Sequence, residues 1–251
     1  MSLQEWTGKQ IHFIGIGGAG MSGLARICLS LGFNVSGSDA KDSSVVTALK
    51  ALGAEIFVGH DANHVKGADI VIYSNAISAN NPEMIRAKEL SLPQITRAQA
   101  LAVLMSTSKS VAVAGTHGKT TTSSMLTVAL QSCGVDPSFA IGGTLTASGS
   151  NAHRGTGDYF VAEADESDGS FMEYHPFSAI ITNVEHDHVD FFATEDSVMS
   201  IFRDFAQSIN ADGYLVYRKD DIGASKIAAG ESSATKVSYG VDQSSDLAID
   251  Q

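Results

Sequence analysis

Val111-Ala112-Val113-Ala114-Gly115-Thr116-His117-Gly118-Lys119-Thr120-Thr121 is an apolar run that passes through a glycine-bounded turn into a lysine and two threonines. The four apolar residues read as a buried strand. Residues 119–132 carry a helical pattern, and Gly134 closes it. Strand, glycine loop and helix in that order let successive backbone N–H groups converge on phosphate oxygens. Lys119 is placed to reach β- and γ-phosphates, and the Thr120 hydroxyl to ligate Mg²⁺. Gly115, Thr116, His117, Gly118, Lys119, Thr120 and Thr121 are therefore the expected ATP-binding residues. The loop is a variant of the usual pattern, because the position five residues before Gly118 holds Val113 instead of glycine.

Working outward from this loop, apolar strand-like runs alternate with helical patterns on both sides. Towards the N-terminus, strands are expected at 10–15, 33–36, 55–58 and 69–73, and helices at 20–31, 43–52, 82–90 and 97–105. Towards the C-terminus, strands are expected at 159–162, 179–182, 214–217 and 236–239, and an amphipathic helix at 198–209. Such a β-α-β-α rhythm implies mostly parallel sheets covered by helices on both faces. Ser106-Thr107-Ser108-Lys109-Ser110 interrupts it with polar residues and marks the expected boundary between two domains, 1–106 and 107–251. Residues 244–251 read as the start of another element without a partner, as in a fragment of a longer protein.

A second glycine pattern opens the first domain. Gly15-Ile16-Gly17-Gly18-Ala19-Gly20 fits G-x-G-x-x-G between a strand and a helix. Its glycines suit a tight turn, close approach of a pyrophosphate, and helix–strand packing. Asp39 ends the second expected strand, 19 positions after Gly20, where a ribose-binding acid belongs. NAD and a UDP-sugar both carry a diphosphate, and the loop alone does not separate them. The fold class is thus α/β: an N-terminal Rossmann-like parallel-sheet domain, then a P-loop-type α/β ATP-binding domain that is truncated.

Carboxylates gather after the later strands. Glu163-Ala164-Asp165-Glu166-Ser167-Asp168 holds four acids in six residues, whose mutual repulsion a divalent cation relieves. Asn183-Val184-Glu185-His186-Asp187-His188-Val189-Asp190 follows the next strand. Ligands of open α/β sheets sit beyond the C-terminal strand ends, so these segments are expected to meet the loop at 115–121 in one crevice. His188 is the candidate to ligate a metal or polarise a phosphate there.

Composition bounds the rest. A chain of 251 residues with 43% hydrophobic content can bury the cores of two domains. Its net charge of −12, from 16 basic and 28 acidic residues, provides no basic face for nucleic acid. No apolar stretch approaches the roughly 18 residues of a membrane span, and no secretory signal opens the chain. Cys28 and Cys133 read as buried free thiols. A cytoplasmic protein is expected.

Taken together, these residues resemble the Mur ligases of bacterial cell-wall synthesis. The resemblance rests on Gly15 to Ser22, Gly37-Ser38-Asp39, Ser74-Asn75-Ala76-Ile77, Gly115 to Thr122, Glu163 to Asp168, and Asp187-His188-Val189-Asp190, in order along nearly the whole chain. It implies that the first glycine loop holds the UDP of a sugar nucleotide, with Gly17, Gly18, Ala19, Gly20, Asp39, Ser74, Asn75 and Ala76 as its binding residues. The implied reaction uses ATP to join L-alanine to the lactyl carboxylate of UDP-N-acetylmuramate through an acyl phosphate, in peptidoglycan precursor synthesis. Lys119, Glu163 and His188 are the implied catalytic residues. Thr120 and Glu163 are implied to hold Mg²⁺ at the nucleotide, and His188 a second metal. Ser167 favours the alanine-adding branch over one that recycles a murein tripeptide, where tyrosine is expected. A non-catalytic nucleotide-binding module is the reading from another class. Relatives carry a third domain that helps bind alanine, so residues 1–251 are expected to bind substrates without completing turnover. Some relatives also use a carbamoylated lysine, and no lysine lies between His188 and Lys219 to supply one.

Overall fold

The computed structural model describes residues 1–166, 169–186, 192 and 194–249. The chain forms two compact units: Met1–Thr107 with Thr144–Gly155, and Ser108–Gly143 with Thr156–Gln251.

In the first unit, β1 (Gln10–Ile14), β2 (Asn34–Asp39), β3 (Glu55–Val58), β4 (Ile70–Tyr73) and β5 (Gln94–Thr96) form a sheet in the order β3-β2-β1-β4-β5. Every pairing is parallel, with Ile11 opposite both Val35 and Ile70. Ile11, His12, Phe13 and Ile14 of β1 are all buried, as befits a central parallel strand covered on both faces. The chain winds outward from β1 through β2 to β3, then returns to the other side of β1 for β4 and β5. This reversal is a topological switch, where open α/β sheets form their ligand crevice.

The helices α1 (Ala19–Ser30), α2 (Ser44–Ala51), α3 (Pro82–Glu89) and α4 (Arg97–Met105) are closed by local signals. Ser43 caps α2 by accepting from Val46 N, and Asn81 caps α3 with Pro82 in its first turn. Thr96 and Gln99 form a reciprocal capping box at α4. Asn151 of β8 (Ser150–His153) donates from Nδ2 to Ala19 O at 3.0 Å, which ties the late segment to α1.

The second unit holds β6 (Lys109–Ala114), β7 (Ser138–Leu145), β9 (Tyr159–Glu163), β10 (Ser178–Ile181), β11 (Tyr214–Arg218), β12 (Thr235–Gly240) and β13 (Leu247–Ala248). Their order is β13-β12-β11-β10-β6-β9-β7, again parallel in the registers observed. Its helices are α5 (Lys119–Ser132), α6 (Glu195–Gln207) and α7 (Ile222–Ala229). Phe202 and Phe205 of α6 pack against Phe171, with ring centroids 5.4 and 4.7 Å away. All three rings are fully buried.

Several elements depart from the sequence expectation. β5, β7, β8 and α7 were not expected; the apolar pattern of β7 is interrupted by Gly142-Gly143. The tail does find a partner, because Leu247 and Ala248 pair with Tyr239 and Gly240 of β12. Cys28 is buried, and burial pushes its thiol far up, but Cys133 is exposed beyond the end of α5. No helix among the described residues is long and apolar enough to cross a membrane.

Candidate functional site

The centre of the second sheet places the Gly115–Thr121 segment. β6 lies between β10 and β9, so the loop that leaves Ala114 is flanked by the segments leaving Ile181 and Glu163. Gly115 has φ +133°, and a Cβ there would overlap Thr182 Oγ1 and lie 2.9 Å from Asn183 O. Only glycine fits such a turn.

Asn183 holds the loop from the side of β10. Its carbonyl accepts from Thr116 N at 3.0 Å, its Oδ1 accepts from His117 N at 2.8 Å, and its Nδ2 donates to His117 O at 2.9 Å. Thr182 Oγ1 also donates to His117 O, at 2.7 Å. Gly118 caps α5 from the left-handed region and supplies no side chain, so the first-turn amides of α5 are left facing the loop. An unsatisfied helix N-terminus carries partial positive charge and suits an anion.

Lys119 folds back across the loop. Its Nζ donates to Gly115 O at 2.8 Å, Thr116 O at 3.2 Å and Glu166 Oε1 at 2.9 Å. Burial raises the Glu166 carboxyl above the usual carboxylate range, against the pull of the Lys119 hydrogen bond. Sequence reasoning did not single out Glu166 among the four acids. Which acid turns inward depends on the path of the chain after β9, and spacing does not encode that path.

Thr120 Oγ1 donates to Glu163 Oε1 at 3.1 Å, while Glu163 Oε2 accepts from Gly142 N at 2.8 Å. A hydroxyl and a carboxylate so close are hard oxygen donors of the kind Mg²⁺ takes together with water and phosphate oxygens. Among the described residues no group of three or more His, Cys, Asp and Glu side chains forms a cage for a metal. His188, Asp187, Val189, Asp190, Ser167 and Asp168 lie outside the described residues. Beside Gly118 a cavity of about 400 Å³ opens at the C-terminal ends of β10, β11 and β12, lined by Asn183, Arg218, Asp220, Tyr239 and Gly240 among others.

The first unit carries its own glycine loop at the switch point after β1. Gly15 N and Ile16 N donate to Ser38 O at 2.8 and 3.0 Å, and Gly18 N to Gly15 O at 3.2 Å. Asp39 Oδ2 accepts from Gly17 N at 2.8 Å, and Oδ1 from Lys41 N at 3.2 Å, so this acid also shapes the loop. Ser74, Asn75 and Ala76 follow β4, the strand across the switch from β2. Ala76 N donates to Ser74 Oγ at 3.3 Å.

Beneath this loop sits a buried polar cluster that sequence reasoning did not find. Glu83 at the start of α3 is fully buried. Its Oε2 accepts from Ser38 Oγ at 2.6 Å and lies 3.2 Å from His12 Nε2. Its Oε1 accepts from Asp61 N at 3.2 Å and lies 2.9 Å from His64 Nδ1. Burial alone raises a carboxyl, but here the hydrogen bonds from His12, Ser38 and His64 outweigh it and bring Glu83 down to about 2. Ser38 therefore joins the cluster to the loop: its hydroxyl serves Glu83 and its carbonyl serves Gly15 and Ile16.

The chain matches two family descriptions, "Mur ligase family, catalytic domain" over residues 10–109 and "Mur ligase middle domain" over residues 113–251. It is 52% identical over 219 residues to a UDP-N-acetylmuramate–L-alanine ligase of Nocardioides sp., covering 87% of this chain and 49% of that protein. Among solved structures it resembles a UDP-N-acetylmuramate:L-alanyl-gamma-D-glutamyl-meso-diaminopimelate ligase from Neisseria meningitides, with TM-score 0.84, 32% identity, and coverage of 92% of this chain and 78% of that one. It also resembles a UDP-N-acetylmuramate-alanine ligase from Thermotoga maritima, with TM-score 0.81, 31% identity, and coverage of 94% and 53%. The chain spans about half the length of the curated relatives it matches.

Proposed function

The chain belongs to the Mur ligase family, and on that premise we propose that it provides the sugar-nucleotide and ATP sites of a ligase that joins L-alanine to UDP-N-acetylmuramate. The observation that carries this reading is the pair of glycine loops, each between a parallel strand and a helix, only one of which bears a lysine, a threonine and a facing carboxylate. The loop at 115–121 takes the triphosphate of ATP, with the cavity lined by Asn183, Arg218 and Tyr239 open to its nucleoside. The loop at 15–20, with Asp39 and residues 74–76, takes the UDP of the sugar nucleotide. The resemblance to curated alanine ligases at about half identity favours L-alanine over a tripeptide as the acceptor amine.

The lactyl carboxylate of UDP-N-acetylmuramate attacks the γ-phosphorus, the bond to the ADP oxygen breaks, and an acyl phosphate forms. The alanine amine then adds to the acyl carbon, and the tetrahedral intermediate expels phosphate. Two anions must meet in the first step, so charge neutralisation dominates the catalytic demand. Lys119 is positioned to leave the Gly115 and Thr116 carbonyls and Glu166 and follow the transferring phosphoryl group. The amides of the first turn of α5 bind its oxygens. Thr120 and Glu163 are the residues to hold Mg²⁺, which when bound draws charge from the phosphate oxygens. His188 is the residue for a second metal on the strength of the family resemblance.

Peptidoglycan precursor synthesis in the cytoplasm follows from this assignment, with no nucleic-acid partner. Calorimetric titration of the chain with UDP-N-acetylmuramate and with NAD tests it, and binding of NAD alone would sink it. An acceptor assay on the full-length enzyme, alanine against the murein tripeptide, decides between the branches. Residues 1–251 by themselves are expected to bind both nucleotides with little alanine-dependent ATP hydrolysis.

A further inference from the structure

The third glycine of the first loop makes room for an arginine. A Cβ on Gly20 would lie 2.9 Å from Arg97 Cδ and 3.4 Å from both Nε and Nη1. The Arg97 stem therefore runs across the first turn of α1, and its guanidinium rests beside the helix N-terminus. Arg97 is the first residue of α4, and the Thr96–Gln99 capping box, with bonds of 3.2 and 3.1 Å, fixes that turn. Ala98 and Ala100 beside it are buried, so the helix is anchored in the unit's core.

This placement sets one positive charge against another. Gly18 caps α1 without a side-chain hydrogen bond, leaving the first-turn amides and the positive end of the helix dipole uncompensated. The first turn of α1 carries no acid. Arg97 makes no hydrogen bond or ion pair with any described residue. Asp39, the acid of this loop, is bonded to Gly17 N and Lys41 N. Arg97 is half-buried and, among the described residues, has no ion-pair partner; a guanidinium so placed beside a helix N-terminus is the arrangement a dianionic ligand completes.

We infer that Arg97 anchors the diphosphate of the sugar nucleotide at the first glycine loop, and that Gly20 is required there because a side chain would displace the arginine. This rests on the reading of that loop as the UDP site. It makes Arg97 a binding residue that the G-x-G-x-x-G pattern does not announce, since it comes from the last helix of the unit.

The test is titration of the chain with UDP-N-acetylmuramate, UDP and UMP, with ADP present to fill the other loop. Arg97→Ala is expected to weaken UDP and UDP-N-acetylmuramate by about 10- to 100-fold, as for loss of a charge-assisted contact, and UMP much less. Arg97→Lys recovers only part, because an ammonium lacks the planar fork. Gly20→Ala lowers the UDP-to-UMP preference as Arg97→Ala does, and the double variant loses little more than either single one. ADP binding at the second loop stays at the parent value in all of them, and the fluorescence of Trp6, the one tryptophan of the chain and buried in the first unit, reports that this unit is folded in each variant. Unchanged UDP affinity in Arg97→Ala overturns the inference, and so does an equal loss for UDP and UMP. A parent chain that binds ADP but neither UDP nor UDP-N-acetylmuramate refutes the sugar-nucleotide reading itself and takes this inference with it.

Discussion

Lys119 and Glu166 form an ion pair across the phosphate-type loop, with Nζ 2.9 Å from the carboxylate and side-chain exposures of only 13% and 2%. The lysine that sequence assigns to phosphate is thus already held, by an acid that the same sequence leaves undistinguished. Before Lys119 can follow a phosphoryl group it must give up a partner.

Lys119→Ala is expected to cut ATP use by at least about 100-fold, in line with loss of a positioned charge in phosphoryl transfer. Binding of UDP-N-acetylmuramate should not change. Parallel titrations with the two nucleotides check this, and equal loss of both would mean that the sites have been exchanged.

Glu166→Ala leaves a poorly solvated ammonium without its carboxylate. Breaking a buried pair on one side costs about 3–5 kcal/mol, and the 13% exposure of Lys119 puts this case at the lower end of that range. Glu166→Gln keeps a hydrogen-bond acceptor and should lose less than half as much. Urea unfolding followed by a probe in the second unit measures both.

Gly115→Ala meets both a φ of +133° and the Thr182 hydroxyl. Strain at such a position costs on the order of 1–3 kcal/mol before the overlap is counted. The variant should bind ATP weakly and unfold at lower denaturant, while Gly134→Ala, with φ +77° and open space around its Cβ, loses stability only. If the two variants bound ATP equally well, the crowding argument would be lost.

Acid should act on the first unit through Glu83. Its carboxyl is held at about 2, below the ordinary 4.5, so the folded state binds fewer protons than the unfolded one. The stabilisation is therefore complete above about pH 4.5 and is lost as pH falls towards 2. Glu166 is shifted the other way and weakens stability as pH rises above its ordinary value, so the useful quantity is the difference between variant and parent. Glu83→Gln should be less stable than the parent at pH 6, and the gap should narrow steadily as pH falls from about 4.5 towards 2, as read by thermal unfolding. A gap that stays constant with pH would contradict the assignment.

Much of the architecture was legible because it is local. The strand at 55–58 and the helix at 97–105 are bounded by glycines, caps and a change of hydrophobic period, and each signal acts within a few residues. β7 and α7 were missed for the same reason, since Gly142-Gly143 breaks the apolar run of one and the other is short. The exposure of Cys133 also escaped, because a helix pattern does not say where the last turn leaves the core.

Returning to Gly115–Thr121, sequence by itself determined that a strand, a glycine turn and a lysine-threonine helix start stand here in order. That order is written in covalent neighbours, and it sufficed to suggest a phosphate-binding device; the pairing of Thr120 with Glu163 came from the family resemblance, and the 3.1 Å contact between them is a tertiary one. Tertiary structure alone decided that Glu166 takes Lys119, that Asn183 clamps His117, that Glu83 underlies the first loop through Ser38, and that Arg97 fills the space above Gly20. Each joins residues between 45 and 77 positions apart. Sheet order and helix packing set such meetings, and neither is encoded in spacing along the chain.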